Sequence, residues 1–333
     1  MSELVKISDV RDELMTYLKT GGKKRFYCGH EKIDKLYGVR EGSRTDWSGY
    51  PGSGKTELLF EILWNTSQYY DHKHLIHMPD AGSHAEVVAK IFHKVTGKRL
   101  ERFYWTKEGK QENQNLPTPQ ELDRYLPEII HYFKIYKPSK VPTPKEFWDY
   151  AEKNKDELEI FSAVIDSWNY MKHNEDGERE DIYLAKILQY GNDLVERSNL
   201  HLHTVIHPRS GAIKMKDGNI MPPTTHEMKG GSEWGNYGKN VIIVHRPKDQ
   251  THSEIHVNKV KGANIGIAGM DVLWYDIKNG KYFDTVIENG TLIKKYASKE
   301  LEQNIEIVPT AIQPNIDFSE PKSSYVKPDD CPF

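Results

Sequence analysis

Residues 49–56 read Gly49-Tyr50-Pro51-Gly52-Ser53-Gly54-Lys55-Thr56. The spacing is G-x-x-x-x-G-K-[ST], and each position has a physical reason. Gly49, Gly52 and Gly54 let the backbone curl round phosphates with no Cβ in the way. Tyr50, Pro51 and Ser53 fill the variable positions. The free amides of the loop and the mouth of the following helix face the anion. Lys55 neutralises the outer phosphates, and Thr56 offers a hydroxyl to Mg²⁺. The run Glu57-Leu58-Leu59-Phe60-Glu61-Ile62-Leu63 supplies the helix. The stretch is a P-loop, and it implies ATP and Mg²⁺ as cofactors. The strand ahead of such a loop is ordinarily buried and apolar. Here it reads Arg44-Thr45-Asp46-Trp47-Ser48, so Asp46 requires a partner or an exposed strand end.

A second element supports the loop. Phe161-Ser162-Ala163-Val164-Ile165-Asp166 is a buried-strand pattern that ends in a carboxylate, 111 residues beyond Lys55. An α/β nucleotide-binding fold places at such a strand end the Asp that orders the water shell of Mg²⁺. The interval leaves room for several intervening strand–helix units. Thr56 and Asp166 are therefore the candidate metal residues.

Working outward, strand-like runs at 75–78, 161–165, 203–207 and 241–245 alternate with helical patterns at 57–70, 85–95 and 181–197. This alternation predicts an α/β fold with a mainly parallel sheet flanked by helices. From Glu254 the pattern changes to short runs at 254–261, 270–277 and 281–286, with Lys278-Asn279-Gly280 as a turn. These read as an antiparallel C-terminal extension. The segment 101–144 predicts a helix near 119–125 and a strand near 131–135. Residues 8–19 read as an amphipathic helix with Ser8 as N-cap and an apolar stripe of Val10, Leu14 and Leu18. Gly21-Gly22 ends it, and it packs either on its own core or on a neighbouring subunit. Three parts are expected: a docking helix and hinge over 1–25, an ATPase core over 26–296, and a disordered tail over 297–333.

Composition narrows the classes. The net charge is -3, so any nucleic-acid surface must be a local basic patch. Two cysteines, Cys28 and Cys331, rule out a disulfide framework or a zinc motif built from cysteine alone. No apolar run is long enough to span a membrane, and the N-terminus lacks the apolar stretch of a signal peptide. A cytoplasmic location is expected, in a bacterial or phage-infected cell.

In order along the chain, the blocks SDVRDEL, GYPGSGKT, MPDAGSHAEVVAKIFHKVTGK, VIDSWNYM, TVIHPRS, MKGGSEWGNYGKNVIIVHRPKD and NKVKGANIGIAGMDVLWYD resemble the RecA-like core of replicative hexameric DNA helicases. The branch is that of bacteriophage primase–helicases, Twinkle and DnaB. The resemblance covers residues from about Ser8 to Asp284 and implies several roles. Lys55, Thr56 and Asp166 hold nucleotide and Mg²⁺. Asp80 stands where the family has the Glu that activates the attacking water. His207 is the sensor joining the γ-phosphate to the DNA loop. Arg209, Lys214 and Lys216, with Lys229, match a central-channel loop that grips single-stranded DNA; the loop lysines also suit a plain solvated turn. Lys259 and Lys261 match residues that reach the neighbouring subunit's site. Arg246 and Tyr275 lie near the nucleotide base, although Tyr275 also suits a core position. Asp80 in place of Glu shortens the reach of the base. Lys261 in place of an Arg finger cannot make a bidentate contact. No primase portion is recognised, which implies a stand-alone motor.

The resemblance thus implies an ATP-dependent helicase motor working 5′ to 3′ as a homo-hexameric ring on single-stranded or forked DNA. A RecA-like recombinase and a low-turnover nucleotide-binding scaffold are the alternatives. The terminus Lys327-Pro328-Asp329-Asp330-Cys331-Pro332-Phe333 resembles the acidic tip of bacterial single-stranded-DNA-binding proteins. It implies docking of Asp329–Phe333 on a replication partner by an aromatic anchor and carboxylates; the alternative is an ordinary polar terminus.

Overall fold

The computed structural model describes residues 7–299 apart from 107–108, 174–176, 210, 212, 217, 248–251, 263 and 289–290. The tail beyond residue 299, with its Asp329–Phe333 tip, lies outside the described residues.

A ten-stranded sheet organises the chain. Its strands are β1 (Ser43–Ser48), β2 (Lys73–His77), β3 (Phe133–Ile135), β4 (Ile160–Asp166), β5 (His201–Ile206), β6 (Asn240–His245), β7 (His252–Val260), β8 (Gly269–Asp276), β9 (Lys281–Glu288) and β10 (Thr291–Tyr296). In space they run β10-β9-β8-β7-β6-β1-β5-β4-β2-β3. The strands from β6 to β3 in that order are parallel. The strands from β6 to β10 pair antiparallel. The expected α/β architecture with its antiparallel extension is the one found.

The pleat sends alternate residues to opposite faces, and each face has its own core. One core takes Trp47, Ile76, Val164, Val205, Ile242 and Val244, and packs them against helices α2 (Lys55–Tyr70), α3 (His84–Thr96) and α4 (Pro119–Tyr132). The other takes Leu75, Ala163, Ile165, Leu202, Val241 and Ile243 against α5 (Pro144–Lys153) and α6 (Glu180–Ser198). Capping boxes start α3, α4 and α5, from Ser83, Thr118 and Thr143.

The polar strand ahead of the P-loop has a physical explanation. All six residues of β1 are buried. Arg44 and Asp46 stand two apart on one face and form an ion pair at 3.1 Å with both side chains fully buried. Arg44 also donates to the Leu188 carbonyl at 2.8 Å. Burial pushes the Asp46 carboxyl up, and Arg44 pulls it back. On the other face Thr45 hydrogen-bonds Tyr37 at 2.7 Å and His201 at 3.0 Å, and the Trp47 indole donates to His203 at 3.2 Å. Cross-strand polar contacts thus replace the usual apolar ones.

Three local expectations change. The helix expected over 119–125 continues through Pro127 to Tyr132, leaving only Phe133–Ile135 as strand. An unanticipated hairpin pairs Phe103–Thr106 with Gly109–Glu112. Strand β10 extends the sheet past the anticipated runs, and Ser298 and Lys299 still hydrogen-bond the core, at Gly29 and Tyr69. The N-terminal helix α1, Ile7–Thr20, leaves Ile7, Leu14 and Leu18 84%, 59% and 79% exposed. Its stripe is not covered by its own core. Among the described residues, no helix is long and apolar enough to cross a membrane.

Candidate nucleotide site and nucleic-acid loop

Four adjacent parallel strands deliver one group each to the carboxyl edge of the sheet. Lys55 follows β1, His207 follows β5, Asp166 ends β4, and Asp80 follows β2. This edge is where an open α/β sheet binds ligands. The chain passes from β1 out to β2 and β3, and returns through β4 and β5 before crossing to β6. The P-loop therefore sits at the point where the winding reverses.

The loop backbone is built for close approach. Gly49 has φ +149°, and a Cβ there would collide with the Val244 carbonyl. Gly54 caps α2 in the left-handed region, φ +97°, and a Cβ on it would collide with the Tyr282 hydroxyl. Lys55 is buried, and its Nζ donates to the Tyr50 carbonyl at 3.2 Å. Desolvation lowers its pKa, while Asp166 and Asp80 oppose that shift. Thr56 donates its hydroxyl to Asp166 at 2.6 Å. Asp166 is buried, and its carboxyl is pushed up to about 6 by burial, against the Thr56 hydrogen bond. Asp80 is exposed and acts electrostatically on Lys55, Asp166 and His207 together. Burial and the Lys55 charge lower the His207 pKa, keeping the ring neutral at pH 7. Asn169 accepts the His207 N–H at 2.8 Å and ties the ends of β4 and β5 together.

The antiparallel extension closes the other flank. Tyr275 donates to Glu57 at 2.9 Å, in the first turn of α2. The Arg246 guanidinium lies 5.9 Å from the Tyr275 ring. Both residues therefore stand beside the P-loop. Sequence reading passed over Tyr282, which donates to the Gly54 carbonyl at 3.2 Å, and Ser253, which donates to the Ser53 carbonyl at 3.4 Å. Their only signal was position in strands already read as an extension. Lys94, paired with Glu57 at 2.9 Å, was likewise unmarked.

Lys259 and Lys261 are not brought to this loop. Lys259 is level with Val241 in the sheet, and the Lys261 N–H donates to the Lys239 carbonyl at 3.0 Å. The P-loop begins past the level of Ile243. At about 3.3 Å per residue this sets Lys261 on the order of 13 Å below it. Lys261 is exposed, whereas Lys259 donates to the carbonyls of Gly235 and Asn236.

Beyond β5 the chain forms a small hairpin, Met215–Lys216 paired with Asn219–Ile220. Lys214 and Lys216 are exposed, as are Ile213 and Met215. Lys214 forms an ion pair with Glu227. The Arg209 guanidinium donates to the His226 carbonyl. Lys229 donates its N–H to the His207 carbonyl at 3.2 Å. The four predicted cations thus surround the exit of the strand that carries His207.

A P-loop at the reversal of a mostly parallel sheet, with an acidic strand end beside it, defines a RecA-like ATPase core. Solved structures agree on the particular kind: the chain has the fold of DnaB-like replicative-helicase ATPase domains. It superposes on one such ATPase domain, solved by itself, with a TM-score of 0.67 at 11% identity, covering 84% of this chain and 99% of that one. A DnaB-like replicative helicase, described together with its interactions with primase, gives a TM-score of 0.64 at 11% identity, covering 84% and 67%. In sequence, the chain is 24% identical over 297 residues to the Twinkle homolog protein, chloroplastic/mitochondrial, of Arabidopsis thaliana. That match covers 86% of this chain and 40% of the relative, so the chain spans less than half of the relative's length. No family model matches the sequence.

Proposed function

We propose that this chain is the ATP-driven motor of a replicative-type DNA helicase, acting on single-stranded DNA as a ring of identical copies. The observation that carries the reading is the row of Lys55, His207, Asp166 and Asp80 on consecutive strand ends, with the cationic hairpin leaving the same strand as His207. One edge of one sheet thereby serves a triphosphate and a nucleic-acid strand.

The residues fit ATP and Mg²⁺. The Ser53 and Ser167 hydroxyls and the Arg246 Nε are buried with no hydrogen-bond partner among the described residues. Each is a polar group awaiting a ligand. The Asp166 carboxyl, raised by burial, suits a site meant to face a cation. Gly49 and Gly54 keep the cradle open. Bound Mg²⁺–ATP would supply the phosphorus to be attacked and the charge that neutralises its oxygens. Lys55 holds the outer phosphates, Thr56 and Asp166 hold the metal, and Asp80 orients and deprotonates the attacking water. Arg246 and Tyr275 flank the base. His207 reads the phosphate end and passes its position to the 209–216 segment. Lys259 and Lys261, set away from their own loop, act on the site of the adjacent copy. The exposed stripe of Ile7, Leu14 and Leu18 docks on that copy.

On this reading residues 1–25 dock, 26–296 drive and 297–333 form a tethered tail whose tip meets a replication partner. A ring of six moving 5′ to 3′ is the arrangement the resemblance supports. Unwinding of a forked duplex is the test. The wild-type chain should separate the strands only with ATP and Mg²⁺, and Lys55→Ala should not. ATP-dependent filaments on DNA without unwinding would favour a recombinase instead.

A further inference from the structure

Glu227 ends the short turn Thr225–Glu227, just beyond the hairpin, and is 6% exposed. Its Oε2 accepts the Thr224 N–H at 2.5 Å and the Thr224 hydroxyl at 2.9 Å. Its Oε1 pairs with Lys214. Its main-chain carbonyl accepts the Arg209 N–H at 2.7 Å, and the carbonyl before it takes the Arg209 guanidinium. Two cations assigned to the nucleic-acid loop are therefore held by one segment of the same chain.

The hairpin root is fixed at two further points. The Lys214 N–H donates to the Tyr50 hydroxyl of the P-loop, and His245 donates to the Ile220 carbonyl. The Lys214 side chain nonetheless stays 69% exposed. An incoming anion can reach it without opening the fold. Ammonium is a point charge with three rotatable donors, so it exchanges a carboxylate for a phosphate without a geometric penalty. The carboxylate is placed by Thr224, whose two hydrogen bonds hold Oε2 and leave Oε1 for the lysine.

We propose that Glu227 is a built-in competitor for nucleic acid: its carboxylate occupies on Lys214 the place of a DNA phosphate, and a single strand binds this cation only by displacing it. The inference rests on the motor reading, which assigns the hairpin to single-stranded DNA. Glu227 acts here as a positioning residue. In the free chain it parks Lys214 beside the P-loop, and it sets the threshold that a strand must exceed.

Binding of a fluorescent oligo(dT) to the full chain at low salt, read by anisotropy, tests this in a four-protein cycle of wild type, Glu227→Gln, Lys214→Ala and the double variant. Gln serves in a capping box as Glu does, so the Thr224 contacts survive. Glu227→Gln should tighten binding by about three-fold, the scale of an exposed ion pair. Lys214→Ala should weaken it, and adding Glu227→Gln to Lys214→Ala should change nothing more. An equal gain in both backgrounds would mean general repulsion of phosphate by Glu227 and would overturn the proposal, as would no gain at all. A wild-type chain that fails to bind oligo(dT) would instead remove the motor reading itself.

Discussion

Replacing Asp166 by Asn exchanges one oxygen for an amide at the centre of the site. The wild-type carboxyl is 3% exposed and ionises near 6 rather than 3.8, chiefly through burial. A folded-state pKa above the unfolded one means the folded chain holds its proton longer. Stability from this group is therefore lost as pH rises from about 4 to about 6, and the deficit stays constant above that. A shift of this size is worth about 3 kcal/mol in the nucleotide-free protein. Asn can still accept the Thr56 hydroxyl through its amide oxygen, so the deficit disappears without a new orphan. For a chain near this size the gain corresponds to roughly 6 °C in Tm. Thermal unfolding followed by circular dichroism should show the two proteins melting together near pH 4 and Asp166→Asn melting higher at pH 7 to 8. Added Mg²⁺–ATP should then raise the melting temperature of the wild type and leave that of the variant nearly unmoved. A variant no more stable than wild type at pH 8 would refute the reasoning that burial, and not a structural hydrogen bond, governs Asp166.

The remaining expectations concern the sheet beneath the site. Asp46→Leu leaves Arg44 charged and alone in the core, and should cost about 3–5 kcal/mol in urea unfolding; Arg44→Leu with Asp46→Leu should recover most of it. A double variant as unstable as the single one would contradict the pairing. Burial lowers the pKa of His72 and His74 to about 3 and of His201 to about 4, and that of His203 falls well below its usual value. These rings stay neutral in the fold while the unfolded chain takes up protons below about pH 6.5, so stability falls as pH drops. Each should contribute about 1.4 kcal/mol per pH unit in that window, and a urea midpoint unchanged between pH 7 and 5 would speak against it.

The parts of the fold legible in the sequence are those whose chemistry is local. The loop 49–56 and the strand ending at Asp166 could be read because phosphate and metal binding fix residue types at short spacing. The alternating elements followed from periodicity, and their bounds moved by only a residue or two at most ends. What escaped depends on distant partners. The Arg44–Asp46 pair was hidden because an apolar strand was expected there, and the hydrogen bonds that satisfy the strand come from Tyr37, His201 and His203. Tyr282 and Ser253 reach the P-loop only through the register of the antiparallel strands. The helix after Pro119 was cut short because Pro127 ordinarily breaks a helix, and the fold carries it to Tyr132 with Ile129 buried in the core. Self-pairing of Lys214 with Glu227 could not be seen without the turn that folds residue 227 back on the hairpin.

Steady-state ATP hydrolysis by the full chain, with and without single-stranded DNA, measures the central claim most directly. Four strand ends that share one edge with the cationic hairpin should give Mg²⁺-dependent turnover that rises on adding DNA and vanishes in Lys55→Ala. Turnover indifferent to Lys55, or no turnover under any of these conditions, would contradict the account.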